Sequence, residues 1–129
     1  MGETRILVVE DEAIVAADLQ SKLQRLGYVV CGIAFSGADA IRTASETAPD
    51  LILMDVRLQG NMTGLEAAVH IRERRDVPVV YITAYTDVLG DAVERHEEVL
   101  YLSKPFSPSE LKTVLAGALK GRLGRGNTD

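Results

Sequence analysis

Ile6-Leu7-Val8-Val9-Glu10-Asp11-Glu12 is the stretch that decides the fold, because four apolar residues run directly into three acids. A short run that is apolar at every position is typical of a strand buried on both faces of a parallel sheet. The run Leu51-Ile52-Leu53-Met54-Asp55 has the same form. Both stretches therefore predict central strands of a parallel sheet, each followed at its carboxyl end by an acid.

Amphipathic stretches alternate with such apolar runs along the rest of the chain. The predicted strands span residues 6–9, 28–34, 51–54, 77–82 and 99–102. The predicted helices span residues 12–26 and 87–96, with three more beginning at residues 36, 63 and 107. Five strands alternating with five helices predict an α/β fold, a doubly wound five-stranded parallel sheet of the flavodoxin-like (βα)5 type. The ligand site of such a sheet lies beyond the carboxyl ends of its strands.

The helix boundaries are marked by capping patterns. Thr63 with Glu66, and Ser107 with Glu110, each form a capping-box pattern at the start of a helix. After the last predicted helix, residues 121–129 contain three glycines and two arginines. We therefore predict one domain over residues 1–120 and a flexible tail, or the beginning of a linker, over residues 121–129.

Charge and composition narrow the class of protein. The 129 residues carry a formal net charge of -5, which argues against direct binding of nucleic acid, since such domains usually present a basic face. A single cysteine, Cys31, excludes an internal disulfide and suits a reducing compartment. Neither a signal-peptide pattern nor an apolar run long enough to span a bilayer occurs in the sequence. The expectation is a cytoplasmic domain with no membrane contact.

Four predicted strands end in residues that carry chemistry: Glu10-Asp11-Glu12, Asp55, Thr83-Ala84 and Ser103-Lys104-Pro105. Because the carboxyl ends of parallel strands meet at one edge, these residues should converge. Crowded carboxylates repel unless a cation fills the cluster, and hard oxygen ligands select Mg2+, with Mn2+ as the alternative. A carboxylate can also attack phosphorus, and the lysine ammonium can pair with a phosphoryl oxygen. The set therefore predicts phosphoryl transfer to an aspartate.

The ordered set resembles the response-regulator receiver domain of two-component signalling, the CheY-like superfamily. The resemblance covers roughly residues 4–120. It rests on an acidic pair after the first strand, a lone Asp after the third, Thr-Ala after the fourth and Lys-Pro-Phe after the fifth. Such a domain is not an enzyme but a phosphorelay switch, which accepts its phosphoryl group from a histidine kinase or phosphotransfer protein.

The resemblance implies a role for each matched residue. Asp55 is the phosphoacceptor by this resemblance. The implied metal ligands are Glu10, Asp11, Asp55 and the backbone carbonyl of Arg57. The residues implied to hold the phosphoryl group are Thr83, Ala84 and Lys104. Thr83 and Tyr101 form the implied switch, which reshapes the face made by the fourth helix, the fifth strand and the fifth helix. The Lys104–Pro105 peptide bond is expected to be cis.

Other functions on a similar fold are less well supported by these residues. A flavin-binding protein would need phosphate-cradling donors after the first strand, where this chain has three acids. A phosphatase of the haloacid type usually carries a second Asp two residues after its nucleophile, where this chain has Arg57. A pseudo-receiver that binds a protein partner without phosphorylation stays open as the alternative. The output, the cognate kinase and the oligomeric state cannot be derived from the sequence.

Overall fold

Strands and helices alternate in the computed structural model, which describes residues 3–84 and 100–127. The described strands are β1 (Arg5–Val9), β2 (Val29–Ala34), β3 (Leu51–Asp55), β4 (Val79–Thr83) and β5 (Leu100–Ser103). The described helices are α1 (Ala13–Arg25), α2 (Gly37–Thr47), α3 (Gly64–Arg74) and α4 (Pro108–Asn127). The helix predicted over residues 87–96 lies outside the described residues.

All five described strands pair in parallel, in the order β2-β1-β3-β4-β5. The chain first adds β2 on one side of β1 and then adds β3, β4 and β5 on the other. The winding therefore reverses between β1 and β3, and a crevice opens outside the carboxyl ends of strands at such a reversal. This topology confirms the predicted doubly wound, flavodoxin-like sheet.

Helices cover both faces of the sheet, as β1 illustrates. Successive side chains of a strand point to opposite faces. Leu7 and Val9 accordingly pack in a core cluster with residues of α2 and α3, whereas Ile6 and Val8 pack in a second cluster with residues of α1 and α4. All four side chains are fully buried. This two-sided burial is the physical reason that the strand is apolar at every position.

Capping boxes fix where two of the helices begin. The Thr63 hydroxyl accepts a hydrogen bond from the Glu66 amide at 3.2 Å, and the Glu66 carboxylate accepts one from the Thr63 amide at 3.0 Å. Ser107 and Glu110 make the same reciprocal pair at 3.1 and 3.0 Å. Each pair satisfies two amide groups that have no partner within the helix. The two predicted capping boxes are confirmed.

The last helix extends beyond residue 120. The sequence predicted a flexible tail, or the beginning of a linker, over residues 121–129, and the backbone of α4 is helical to Asn127. Each glycine costs about 1 kcal/mol in a helix interior relative to alanine, which is why the sequence pattern argued for an end. The domain boundary at residue 120 stays a prediction.

None of the helices in the described ranges is both long enough and apolar enough to cross a membrane.

A left-handed residue follows α2. Ala48 has φ 48° and ψ 64°, and its amide donates to the carbonyl of Ala44 at 3.0 Å. This conformation costs an L-residue roughly 1–2 kcal/mol, and glycine avoids that cost but loses more backbone entropy on folding. We therefore expect Ala48→Gly to raise the free energy of unfolding by about 0.5–1 kcal/mol in urea titrations. Ala38→Gly, at an exposed helical position, should lower the free energy of unfolding instead. A lower free energy of unfolding in both variants would contradict the prediction.

Candidate functional site

Three carboxylates meet where the chain leaves β1 and β3. Val9 pairs with Met54 in the β1–β3 ladder, so the residues that follow, Glu10 and Asp55, lie side by side. One carboxylate oxygen from each of Glu10, Asp11 and Asp55 lies within 4.8 Å of the other two. Octahedral Mg2+ binds oxygens at about 2.0–2.1 Å, so opposite ligands are about 4.2 Å apart. The spacing and the oxygen chemistry of this acidic cluster therefore fit Mg2+.

Lys104 neutralises part of this cluster. Its ammonium nitrogen lies 3.2 Å from Glu10 Oε1 and 3.4 Å from Asp55 Oδ2. The Lys104 backbone amide donates to the carbonyl of Thr83 at 2.9 Å, which continues the β4–β5 pairing by one residue. The Lys104–Pro105 peptide bond is cis, the geometry that the family resemblance implies. The end of β5 thus places the ammonium group between the acids of β1 and β3.

Backbone amides hold the other oxygen of each paired carboxylate. Glu12 donates its backbone N–H to Glu10 Oε2 at 3.1 Å, and Arg57 donates its own to Asp55 Oδ1 at 3.1 Å. Each carboxylate therefore has one oxygen on a backbone amide and the other on Lys104. Both side chains are fixed in orientation before any ligand arrives, which reduces the cost of organising a site.

Burial makes this arrangement electrostatically sensitive. Glu10 is 0% exposed. The pKa of Glu10 is raised to about 7, and burial is the largest cause. The backbone amide of Glu12 and the charge of Lys104 lower this pKa, whereas the hydrogen bond with Asp55 and the charge of Asp55 raise it. Burial lowers the pKa of Lys104, but the charges of Asp55 and Glu10 and the hydrogen bonds with both outweigh this, so that the pKa is raised. A cation bound beside Glu10 would favour its charged form.

The remaining predicted site residues lie on β4 and β5 or just after them. Thr83 is buried at the end of β4, next to the pair formed by Asp55 and Ile82, and Ala84 follows it as an exposed residue. Tyr101 lies on β5 and is 43% exposed. The phosphoryl-binding and switch roles of these residues stay predictions, as does metal binding by the Arg57 carbonyl.

Sequence reasoning missed the contact between Glu10 and Lys104, which are 94 residues apart. It assigned the lysine to a phosphoryl oxygen and the acid to the metal. Their opposite charges at converging strand ends were the available signal, since a buried carboxylate requires a partner. The structure therefore brings Glu10, Asp11, Asp55 and Lys104 together at one edge of the sheet.

The receiver class of flavodoxin-like folds is defined by a five-stranded parallel sheet wound in this order, with paired acids and a lysine at its carboxyl edge. The family model described as response regulator receiver domain matches residues 6–116. The chain belongs to this family of two-component signalling domains. Receiver domains of this family are signalling domains, and they typically bind Mg2+ at an acidic pocket.

Several known proteins are similar to this chain. The phyllosphere-induced regulator PhyR of Methylorubrum extorquens is 38% identical over 117 residues, which are 90% of this chain and 43% of that protein. PdtaR of Mycobacterium tuberculosis is 39% identical over 110 residues, 83% of this chain and 52% of that protein. The chain thus spans about half the length of the curated relatives it matches.

Solved structures agree with this assignment. The receiver domain of Erythrobacter litoralis PhyR is 33% identical, with a TM-score of 0.84 over 92% of both chains. The anti-anti-sigma factor PhyR of Bartonella quintana is 30% identical, with a TM-score of 0.88 over 99% of this chain and 52% of that one.

Proposed function

We propose that this chain accepts a phosphoryl group on Asp55 from a histidine kinase or phosphotransfer protein, in a Mg2+-dependent reaction. The observation that carries the proposal is the pairing of the Asp55 carboxylate with Lys104 beside Glu10 and Asp11. An acceptor carboxylate, a set of oxygen ligands for a divalent cation and an ammonium group for the phosphoryl oxygens lie together. Family membership supports the same reading.

Each group has a definite part in the proposed reaction. A carboxylate oxygen of Asp55 forms a bond to phosphorus while the bond from phosphorus to the donor histidine nitrogen breaks, and the electron pair of that bond stays on the nitrogen. Glu10, Asp11, Asp55 and the Arg57 carbonyl would hold Mg2+, which neutralises charge on the transferring group. Lys104 releases the carboxylate and pairs with a phosphoryl oxygen as a compact charge.

The signal would leave the site through β4 and β5. Thr83 follows Ile82, the residue of β4 that pairs with Asp55, and its hydroxyl would bind the new phosphoryl group while Tyr101 reorients beside it. A local charge event of this kind can bias a bistable element. Its reader would be a partner protein. The relative from Bartonella quintana carries the name anti-anti-sigma factor, which describes a role in protein binding.

We also place the domain in the cytoplasm, because its single cysteine suits a reducing compartment.

Acetyl phosphate provides a direct test. The protein is incubated with acetyl phosphate and Mg2+, and its intact mass is measured beside that of Asp55→Asn. We expect a Mg2+-dependent gain of one phosphoryl group in the parent and no gain in the variant. Beryllofluoride, a stable phosphoryl mimic, covers the case of rapid hydrolysis. A parent that neither gains mass nor binds beryllofluoride would refute the proposal.

One observation favours the alternative function, a partner-binding domain that acts without phosphorylation. Lys104 already bridges Glu10 and Asp55, which neutralises part of the charge of the buried acids without a metal. The two functions differ in their response to Mg2+. At a free concentration ten times the dissociation constant, a bound ion stabilises the folded protein by about 1.4 kcal/mol. Thermal melts that do not move at millimolar Mg2+ would favour the alternative.

A further inference from the structure

Gly64, the first residue of α3, lies unusually close to the backbone of the candidate phosphoacceptor. A β-carbon placed on Gly64 would meet the carbonyl oxygen of Asp55 at 2.1 Å and its carbonyl carbon at 3.0 Å. Contacts shorter than 3.0 Å to a β-carbon are essentially absent from real proteins. The crowding involves backbone atoms of a buried central strand, so no flexible side chain can move aside to relieve it.

A second contact locks the same two segments together. The Gly64 amide donates a hydrogen bond to the carbonyl of Val56 at 2.8 Å, and the Val56 amide in turn donates to the carbonyl of Ile82 on β4 at 3.2 Å. The N–H of the peptide between Asp55 and Val56 is therefore bound to β4, and the carbonyl of the next peptide, between Val56 and Arg57, is bound to the first residue of α3. The capping box of Thr63 fixes where that turn begins.

The orientation of this peptide bears directly on the carboxylate. Asp55 Oδ1 accepts from the amide of Arg57, two residues further on, and Oδ2 lies 3.4 Å from the Lys104 ammonium nitrogen. A shift of the Asp55 carbonyl by the distance that a β-carbon requires would turn the carboxylate away from both groups. Misplacement of a reacting group by about 1 Å can cost about a hundredfold in rate.

We propose that Gly64 is a positioning residue for Asp55, and that the absence of its side chain sets the direction in which the acceptor carboxylate faces the metal site and Lys104. The inference rests on the proposed function, because it concerns the reactivity of the same site. Gly64 has no side chain that could touch a phosphoryl donor or a metal, and in this proposal it acts only through the backbone of Asp55.

Gly37 supplies a matched control, since it is also buried and is also the first residue of a helix. A β-carbon on Gly37 would meet the Cβ, Cγ and Sδ atoms of Met62 at 3.0 Å, with no backbone atom nearer, so Met62 would have to move by only a few tenths of an ångström. Gly64→Ala and Gly37→Ala are compared at equal folded fraction, which is established by urea titration. The readouts are the Mg2+ dissociation constant from calorimetry and the maximal rate of phosphorylation at saturating acetyl phosphate and Mg2+.

We expect Gly64→Ala to phosphorylate about a hundredfold more slowly at saturation, and to bind Mg2+ about tenfold more weakly. Gly37→Ala should stay within about twofold of the parent in both, because no backbone atom is among those nearest the added methyl group and only a small shift of Met62 is required. Equal rates and affinities in parent and Gly64→Ala would overturn the inference. A similar loss in both variants would also overturn it, because the effect would then be general to helix starts.

A measurement on the unaltered protein covers the case in which Gly64→Ala does not fold. Mg2+ with beryllofluoride should move the amide resonance of Gly64, whereas the amide of Gly117, in open space on α4, should not move. An unmoved Gly64 resonance in a protein that binds both ions would refute the positioning role. If the parent takes up no phosphoryl group but binds Mg2+, only the proposed function fails. The Mg2+ dissociation constants of the parent and of Gly64→Ala then decide whether Gly64 positions Asp55. A parent that does not bind Mg2+ either would overturn both.

Discussion

Lys104→Met is expected to slow phosphorylation of Asp55 by acetyl phosphate about a hundredfold, since removing one preorganised donor to a developing charge typically has this effect. The methionine keeps the length of the side chain but removes the ammonium group that lies between Glu10 and Asp55. The measurement is the initial rate of mass gain at saturating Mg2+. A rate equal to that of the parent would contradict the role assigned to Lys104.

Lys22→Met is the matched control for this experiment. Lys22 is also a partly buried lysine with a carboxylate partner, Asp18, at 2.8 Å, and its ammonium group lies 5.6 Å from the centre of the Phe106 ring. It makes none of the contacts of the acidic cluster. Its loss should leave the rate within about twofold and lower the free energy of unfolding by less than about 1 kcal/mol, as is usual for surface ion pairs.

Leu53→Ala is expected to lower the free energy of unfolding by about 2–5 kcal/mol, because it leaves a cavity in the centre of the sheet. Leu53 is 0% exposed and lies on β3, two residues before Asp55, in the core cluster covered by α1 and α4. The measurement is a urea titration. Ile14→Ala, at a position that is 86% exposed, should change the value by no more than about 0.5 kcal/mol. Similar losses at both positions would contradict the assignment of β3 to the core.

The sequence predicted the order of the described elements and the edge of the sheet at which the site lies. Both followed from local rules: a fully apolar run such as Leu51-Ile52-Leu53-Met54 is buried on both faces, and a parallel sheet brings strand ends together. The capping boxes at Thr63 and Ser107 are local too, because each depends on residues three apart. The strand boundaries moved by one or two residues, and Asp55 and Thr83 became the last residues of their strands.

Features that depend on packing between distant segments were not predictable in this way. The sequence placed Glu10 beside a metal but did not show that the residue is fully buried or that it pairs with Lys104. No role was predicted for Gly64, because only the folded structure shows that a β-carbon there would meet the carbonyl oxygen of Asp55 at 2.1 Å. The helical extent of α4 was underestimated, since helix propensity is a weak local preference that tertiary packing overrides.

The ion pairs of the site join residues that lie 94 and 49 positions apart in the chain. On a ribosome, the acids of β1 and β3 are therefore synthesised well before the lysine that balances them. A chain truncated ahead of β5 carries Asp55 without its ammonium partner, whatever structure it adopts. Under the proposed function, rapid uptake of a phosphoryl group would therefore begin only once the last strand is in place, and a nascent or broken domain would respond slowly.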